Sequence, residues 1–294
     1  MEIFLSIFVP ILIIAAFAAL FAFSLSYLGD RMAVERDPKI DEIEKNLSGA
    51  NCGGCGYAGC SQFAEALFKG EAEISRCNPT PPENKKKIAD ILGVDGGNAE
   101  VTIAVVHCAG GNRAADKYDY QGYGDCKSVQ LLAGGTKLCE YGCMGFCSCV
   151  SACPSNAVAI CKDTGASKTD RDACTSCGSC ISACPKKIIG RIPKSAKVYV
   201  ACSNAQKGKA VVEVCKVGCI SCGKCAKVCP KGAVTLINNL AVIDYTKCIG
   251  CMKCASECPR KCIQPIGDGV KIFEKIQAVK AAQANKAKEQ QQQQ

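Results

Sequence analysis

Tryptophan is absent from the 294-residue chain, histidine occurs once, and aromatic residues make up only 6%. So few large apolar side chains leave a conventional core short of material, and inorganic centres would take part of its place. No G-x-G-x-x-G stands between a strand pattern and a helix pattern, so no nicotinamide site is indicated. A P-loop, a C-x-x-C-H haem motif and a Cys/His/Asn arrangement for covalent catalysis are also missing. No basic stripe interleaved with aromatics suggests nucleic acid. The lone histidine, His107, is given no ligand role. The sequence thus offers no catalytic residue and no flavin, haem or nicotinamide site.

What it offers is cysteine. There are 27, grouped in runs too tight for pairwise bridging, which favours metal clusters in a reducing compartment over disulfides. Two runs are regular and in tandem: Cys219-Ile-Ser-Cys222-Gly-Lys-Cys225-Ala-Lys-Val-Cys229-Pro230 and Cys248-Ile-Gly-Cys251-Met-Lys-Cys254-Ala-Ser-Glu-Cys258-Pro259. The C-x2-C-x2-C-x3-C-P spacing wraps three thiolates around one [4Fe–4S] cube and sends the fourth to a neighbour. Crossed ligation assigns Cys219, Cys222, Cys225 and Cys258 to one cube, and Cys248, Cys251, Cys254 and Cys229 to the other. A zinc ribbon, with four ligands per site, leaves the third C-x2-C and the trailing Cys-Pro unexplained. Between the runs, residues 233–244 read as two short strands around an Asn238-Asn239 turn.

A second pair of runs lies upstream. Cys174, Cys177, Cys180 and Cys184-Pro185 are regular. In Cys139-Glu-Tyr-Gly-Cys143-Met-Gly-Phe-Cys147-Ser-Cys149-Val-Ser-Ala-Cys153-Pro154, counting back from Cys-Pro puts Cys149, Cys143 and Cys139 at the third, second and first positions, with enlarged spacings. The expected sets are Cys139, Cys143, Cys149 with Cys184, and Cys174, Cys177, Cys180 with Cys153. Cys147 is surplus and, like Cys161 and Cys262, reads as a packed thiol. Nearer the N-terminus, Cys52, Cys55, Cys60 and Cys77 follow C-x2-C-x4-C-x16-C in a glycine-rich loop, suited to one more cube; a four-cysteine zinc site is the alternative. Five clusters follow. Cys108, Cys126, Cys202 and Cys215 remain as a candidate sixth, because crossed ligation draws the ends of each unit together; the alternative for Cys202 and Cys215 is inert buried thiols.

Residues 3–28 are almost wholly apolar and, as a helix, would extend about 39 Å, enough for a hydrocarbon core of about 30 Å. The segment lacks the basic start of a signal peptide and reads as an uncleaved anchor. Arg31, Arg36 and Lys39 follow it, so the bulk of the chain is expected on the cytoplasmic side of the inner membrane, single-pass. No acidic or basic residue interrupts the span, so it anchors rather than transports. The formal charge of +9 offsets clusters of about −2 each. Residues 101–106 read as a buried strand. The Lys/Ala/Gln-rich tail reads as a helix former that frays or is disordered.

This order of modules (anchor, four-cysteine loop, tandem ferredoxin runs beginning Cys139-Glu-Tyr-Gly-Cys143-Met-Gly-Phe) resembles the B component of the Rnf complex, the ion-translocating ferredoxin:NAD oxidoreductase, in its long form with two ferredoxin units. The resemblance covers residues 1 to about 265. It implies an electron-relay subunit of a translocating oxidoreductase that accepts electrons from soluble ferredoxin and passes them to other subunits, with the loop cysteines as cluster ligands. A polyferredoxin subunit of a hydrogenase or a formate-oxidising complex is the alternative; a corrinoid protein is disfavoured, because no α/β cofactor domain follows Cys77. The expected fold is α+β: anchor 1–29, four-cysteine module 30–95, connecting segment 96–136, first ferredoxin unit 137–200, linker 201–216, second unit 217–268 and tail 269–294.

Overall fold

The computed structural model describes residues 2–32, 36–94 and 100–292. The expected module boundary at 95/96 and the last two glutamines lie outside the described residues. The chain divides into two compact units, Met1–Glu42 and Ile43–Gln294. In the first, α1 (Glu2–Met32) is a single helix. Its stretch Ile11–Leu28 is long and apolar enough to cross a membrane, and none of it is buried by protein. Leu, Ile, Phe and Ala dominate this stretch, and the helix pairs the backbone groups internally, as lipid demands. Next comes α2 (Pro38–Asn46).

The second unit begins with a small helical module. A glycine-rich loop leads into α3 (Cys60–Phe68), and a bend joins α3 to α4 (Pro82–Leu92). Phe63, Ile74 and Ile88 are buried there. Proline at the first turn starts α4, and Gly93, with φ +67°, ends it in the left-handed region.

The rest is built from paired short strands. In order come β1 (Thr102–Val106), α5 (Cys126–Leu131), α6 (Ser148–Ser151), β2 (Val158–Ile160), β3 (Ser167–Thr169), α7 (Ser179–Ala183) and β4 (Ile189–Pro193). There follow β5 (Val198–Val200), α8 (Gly208–Val214), α9 (Lys224–Lys227), β6 (Val234–Ile237), β7 (Leu240–Ile243), α10 (Lys253–Ser256), β8 (Ile263–Pro265) and α11 (Asp268–Gln292). Among the described residues the strands form four antiparallel ribbons: β1–β4, β2–β3, β5–β8 and β6–β7. In each half, one hairpin joins two cysteine runs while a strand before the runs pairs with a strand after them. Thr102 faces Pro193 in the first half, and Val198 faces Pro265 in the second. Asn238 and Asn239, at φ +48° and +62°, make the tight turn expected between β6 and β7. The α+β reading holds.

The tail differs from the expectation of disorder. Helix α11 packs Ile272, Phe273 and Ile276 on the second half's core, and Lys280 pairs with Glu257. The spacing of those apolar residues supplies one narrow sticky face at the helix start.

Candidate iron–sulfur sites

The four cysteine runs share one backbone path. The residue before the short helix is left-handed each time: Cys147 (+62°), Gly178 (+88°), Gly223 (+72°) and Met252 (+62°). So are Gly145, Ser176, Ser221 and Gly250 two residues earlier, and Asn156, Lys187, Gly232 and Lys261 three residues after the fourth cysteine. This register is independent of where the cysteines fall. It aligns Cys143 with Cys174, Cys219 and Cys248 as the first ligand position. Phe146 then occupies the second position, where the other runs carry Cys177, Cys222 and Cys251.

The upstream run is therefore regular but lacks its second cysteine, and a thiol from outside the run joins its other three. A cavity of about 340 Å³ is lined by Cys143, Cys149, Cys184 and Cys126. Cys126 opens α5, whose first turn is capped by Asp125 accepting from the Ser128 N–H at 3.0 Å. The Cys126 N–H donates to Ser148 Oγ at 2.9 Å, and that hydroxyl donates to the Asp125 carboxylate. The Asp125–Ser148 pair thus docks α5 on α6. Ser148 holds the Asp125 carboxyl below its usual range.

Cys139, expected in that set, lies elsewhere. Residues 113–117 run between two other segments: Ala115 donates to the Val214 carbonyl (3.0 Å), and Leu138 donates to that of Ala115 (2.8 Å). These bonds bring Cys139 beside Cys215. On the other side, the end of β1 meets the end of β5, with the Ala109 N–H on the Ala201 carbonyl at 2.9 Å. His107 Nδ1 lies 2.7 Å from the Val200 carbonyl. That carbonyl can only accept, so the lone histidine pins the junction. A cavity of about 330 Å³ results, lined by Cys108, Cys139, Cys202 and Cys215. Asn204, buried, aims its amide at Cys139 Sγ (3.4 Å). The structure thus exchanges Cys126 and Cys139 between the two sets expected from spacing. A count of cysteines passes over Phe146, and local spacing does not encode the long-range pairing of 113–117.

In the second half, a cavity of about 330 Å³ is lined by Cys219, Cys222, Cys225 and Cys258, with Cys262 beside them. Cys229, Cys248 and Cys254 belong to the same core, and α9 packs on α10 as α6 packs on α7. Cys248 and Cys251 stand close enough to Cys254 to add to the raising of its thiol pKa by burial. In the first half, Cys174, Cys177 and Cys153 act likewise on Cys180.

The N-terminal loop abuts the first half. A Cβ on Gly54 would come within 1.9 Å of the Cys177 carbonyl oxygen, so only glycine fits. Cys52 senses Cys177 and Cys77 electrostatically, and Cys77 Sγ contacts buried Thr80 Oγ1 at 3.1 Å. The Asn51 side chain accepts from the Cys60 N–H at 2.8 Å. Buried Lys85 lies near enough to Cys77 for charge attraction, which works against the lowering of its pKa by burial.

The donor chemistry fits iron–sulfur cubes. Three cavities of similar size are lined by thiols from separated segments, four in two of them and five in the one that includes Cys262, with no carboxylate in the lining. Backbone N–H groups point at sulfur: Cys143 at Cys108 (3.3 Å), Cys219 at Cys202 (3.3 Å), Ala157 at Cys153 (3.2 Å) and Ala233 at Cys229 (3.3 Å). Such donors stabilise the negative sulfur of a ligated thiolate. Without iron, burial pushes the thiols up, Cys149 and Cys202 to about 11, Cys180 and Cys254 to about 12. Among the described residues, no three Cys, His, Asp or Glu side chains converge tightly enough to hold a single ion. The thiols ring a space rather than a point.

Fold and sites together define a multi-centre, ferredoxin-type iron–sulfur protein. Residues 47–79 match a family described as a putative Fe-S cluster, and residues 173–234 and 218–263 match a 4Fe-4S dicluster domain. The first dicluster match joins a run of each half, whereas α7 packs on α6 and α9 on α10. The chain is 44% identical over 227 residues to the B component of the proton-translocating ferredoxin:NAD(+) oxidoreductase complex of Clostridium ljungdahlii, covering 76% of this chain and 80% of the relative. It is 39% identical to the Na(+)-translocating counterpart of Acetobacterium woodii (82% and 73% covered) and to the B component of an ion-translocating oxidoreductase complex of Methanosarcina acetivorans (73% and 81%). The chain belongs to the family formed by the B components of these ion-translocating ferredoxin:NAD oxidoreductase complexes, as the resemblance implied.

Proposed function

We propose that the chain holds six [4Fe–4S] clusters and relays electrons from reduced ferredoxin to partner subunits of a membrane-bound complex. The ligand sets are Cys52, Cys55, Cys60 and Cys77; Cys153, Cys174, Cys177 and Cys180; Cys126, Cys143, Cys149 and Cys184; Cys108, Cys139, Cys202 and Cys215; Cys219, Cys222, Cys225 and Cys258; and Cys229, Cys248, Cys251 and Cys254. When bound, such clusters supply one-electron redox chemistry. The protein's own residues fix where the cubes stand and how they are insulated.

The observation that carries the reading is the four-thiol cavity between the two ferredoxin-type halves. Without it, the halves have no shared centre. With it, sites follow one another: the Cys143 N–H touches Cys108, and the Cys219 N–H touches Cys202. Helix α1 anchors the chain, with the cluster-bearing part on the cytoplasmic side where ferredoxin is found. On this reading the chain converts no substrate itself, and NAD and ion chemistry fall to partner subunits.

The test is the Cys108→Ser/Cys202→Ser double variant in the assembled complex. The expected result is loss of about four irons together with arrested ferredoxin-dependent NAD reduction. Unchanged iron and unchanged electron flow contradict the bridging site.

A further inference from the structure

Cys262 is the fifth thiol of a site that needs four. It lines the same cavity as Cys219, Cys222, Cys225 and Cys258, and is 2% exposed. It stands four residues after Cys258, where the other runs place Ala157, Ile188 and Ala233 after their own fourth cysteines. Those residues turn no polar side-chain atom toward the cluster site. Cys262 does: its Sγ lies 3.5 Å from Cys258 Sγ.

The contact decides between two roles. Thiolates on different irons of one cube are held apart by the cube itself. A sulfur 3.5 Å from a ligand sulfur is at hydrogen-bond length. With Cys258 ionised to bind iron, the proton of this contact must sit on Cys262. We propose that Cys262 is not a ligand but a positioned S–H donor to the Cys258 sulfur of this cube, and that it raises the reduction potential of this cube alone.

The cause is electrostatic. Reduction adds a negative charge to the cube and its thiolates, and a donor aimed at those sulfurs favours the more negative state. The donor is held firmly. The Cys262 carbonyl accepts from the Ala201 N–H at 2.7 Å, next to Cys202 of the bridging site, and Arg260 donates to the Cys215 carbonyl. Cys262 therefore tunes the cube adjoining the bridge. The other three runs carry Ala157, Ile188 and Ala233 at this position, which have no side-chain donor.

The inference rests on the proposed ligand sets, and the experiment separates the two. Cys225→Ser in the full-length, anaerobically purified protein identifies the signal of this cube by its disappearance; if no iron is lost, the ligand assignment fails first. Cys262→Ala and Cys262→Ser are then followed by iron analysis and EPR-monitored redox titration. The expected result is full iron content in both, a more negative midpoint for this one cube in Cys262→Ala, and a midpoint nearer wild type in Cys262→Ser, whose hydroxyl still donates. An unmoved midpoint in Cys262→Ala overturns the proposal. Loss of about four irons in both variants also overturns it, making Cys262 a ligand instead.

Discussion

The Cys126 backbone N–H donates to Ser148 Oγ at 2.9 Å, tying a thiol from outside the first cysteine run to the helix inside it. That bond compensates for Phe146, which stands where the other runs carry their second cysteine. Cys126→Ala should cost one cube while leaving the bridging site loaded, and Cys139→Ala should do the reverse. Pairing each variant with Cys202→Ala separates them. Cys139→Ala adds no iron loss to Cys202→Ala, because both empty one site, whereas Cys126→Ala adds about four irons. Equal additivity in both pairs contradicts the exchange.

Ser148→Ala keeps every thiol and removes only the docking hydroxyl between α5 and α6. Cys126 should then be held loosely. The expected outcome is a normal iron count on purification and faster loss of about four irons to a chelator. Wild-type release kinetics would mean that the hydroxyl is dispensable.

Gly54→Ala tests the contact between the four-cysteine module and the first ferredoxin-type half. Its Cβ would meet the Cys177 carbonyl at 1.9 Å, a backbone clash that no rotamer relieves. Overpacking of this kind costs about 1–3 kcal/mol. The module should separate or shift, seen as a lowered thermal midpoint and a weakened magnetic interaction between neighbouring clusters by EPR. An unchanged spectrum would place the module's cube elsewhere.

Much of this site is legible in the sequence, and the failures have physical causes. The regular runs stand out because the C-x2-C-x2-C-x3-C-P spacing is that of a two-cluster ferredoxin. The Asn238-Asn239 turn is legible because consecutive left-handed residues are tolerated best by asparagine and glycine. The bridging cavity is legible only in outline. Cys108, Cys202 and Cys215 stand out as unplaced thiols, but the fourth member depends on residues 113–117 pairing with 138 and 214, contacts far apart in sequence. Spacing misplaces Cys139 because a count through cysteines alone cannot see that Phe146 fills a ligand position. The left-handed residues at 145, 147 and 156 match those of the other runs and give the register. Composition misreads the tail, because an overall Lys/Ala/Gln bias hides Ile272, Phe273 and Ile276.

Removing residues 1–29 takes away the whole apolar span without touching any cysteine. The truncated chain should be soluble, retain its full iron content and still oxidise reduced ferredoxin. A truncated protein that binds iron but accepts no electrons from ferredoxin would contradict the receiving role.

The central claim is a sixth cube held by Cys108, Cys139, Cys202 and Cys215 between the two ferredoxin-type halves. Quantitative iron and acid-labile sulfide analysis of the anaerobically reconstituted full-length protein tests it most directly. The account predicts saturation near twenty-four irons and twenty-four sulfides per chain, about four of each lost in Cys139→Ala. Saturation near twenty, unchanged by Cys139→Ala, would contradict it.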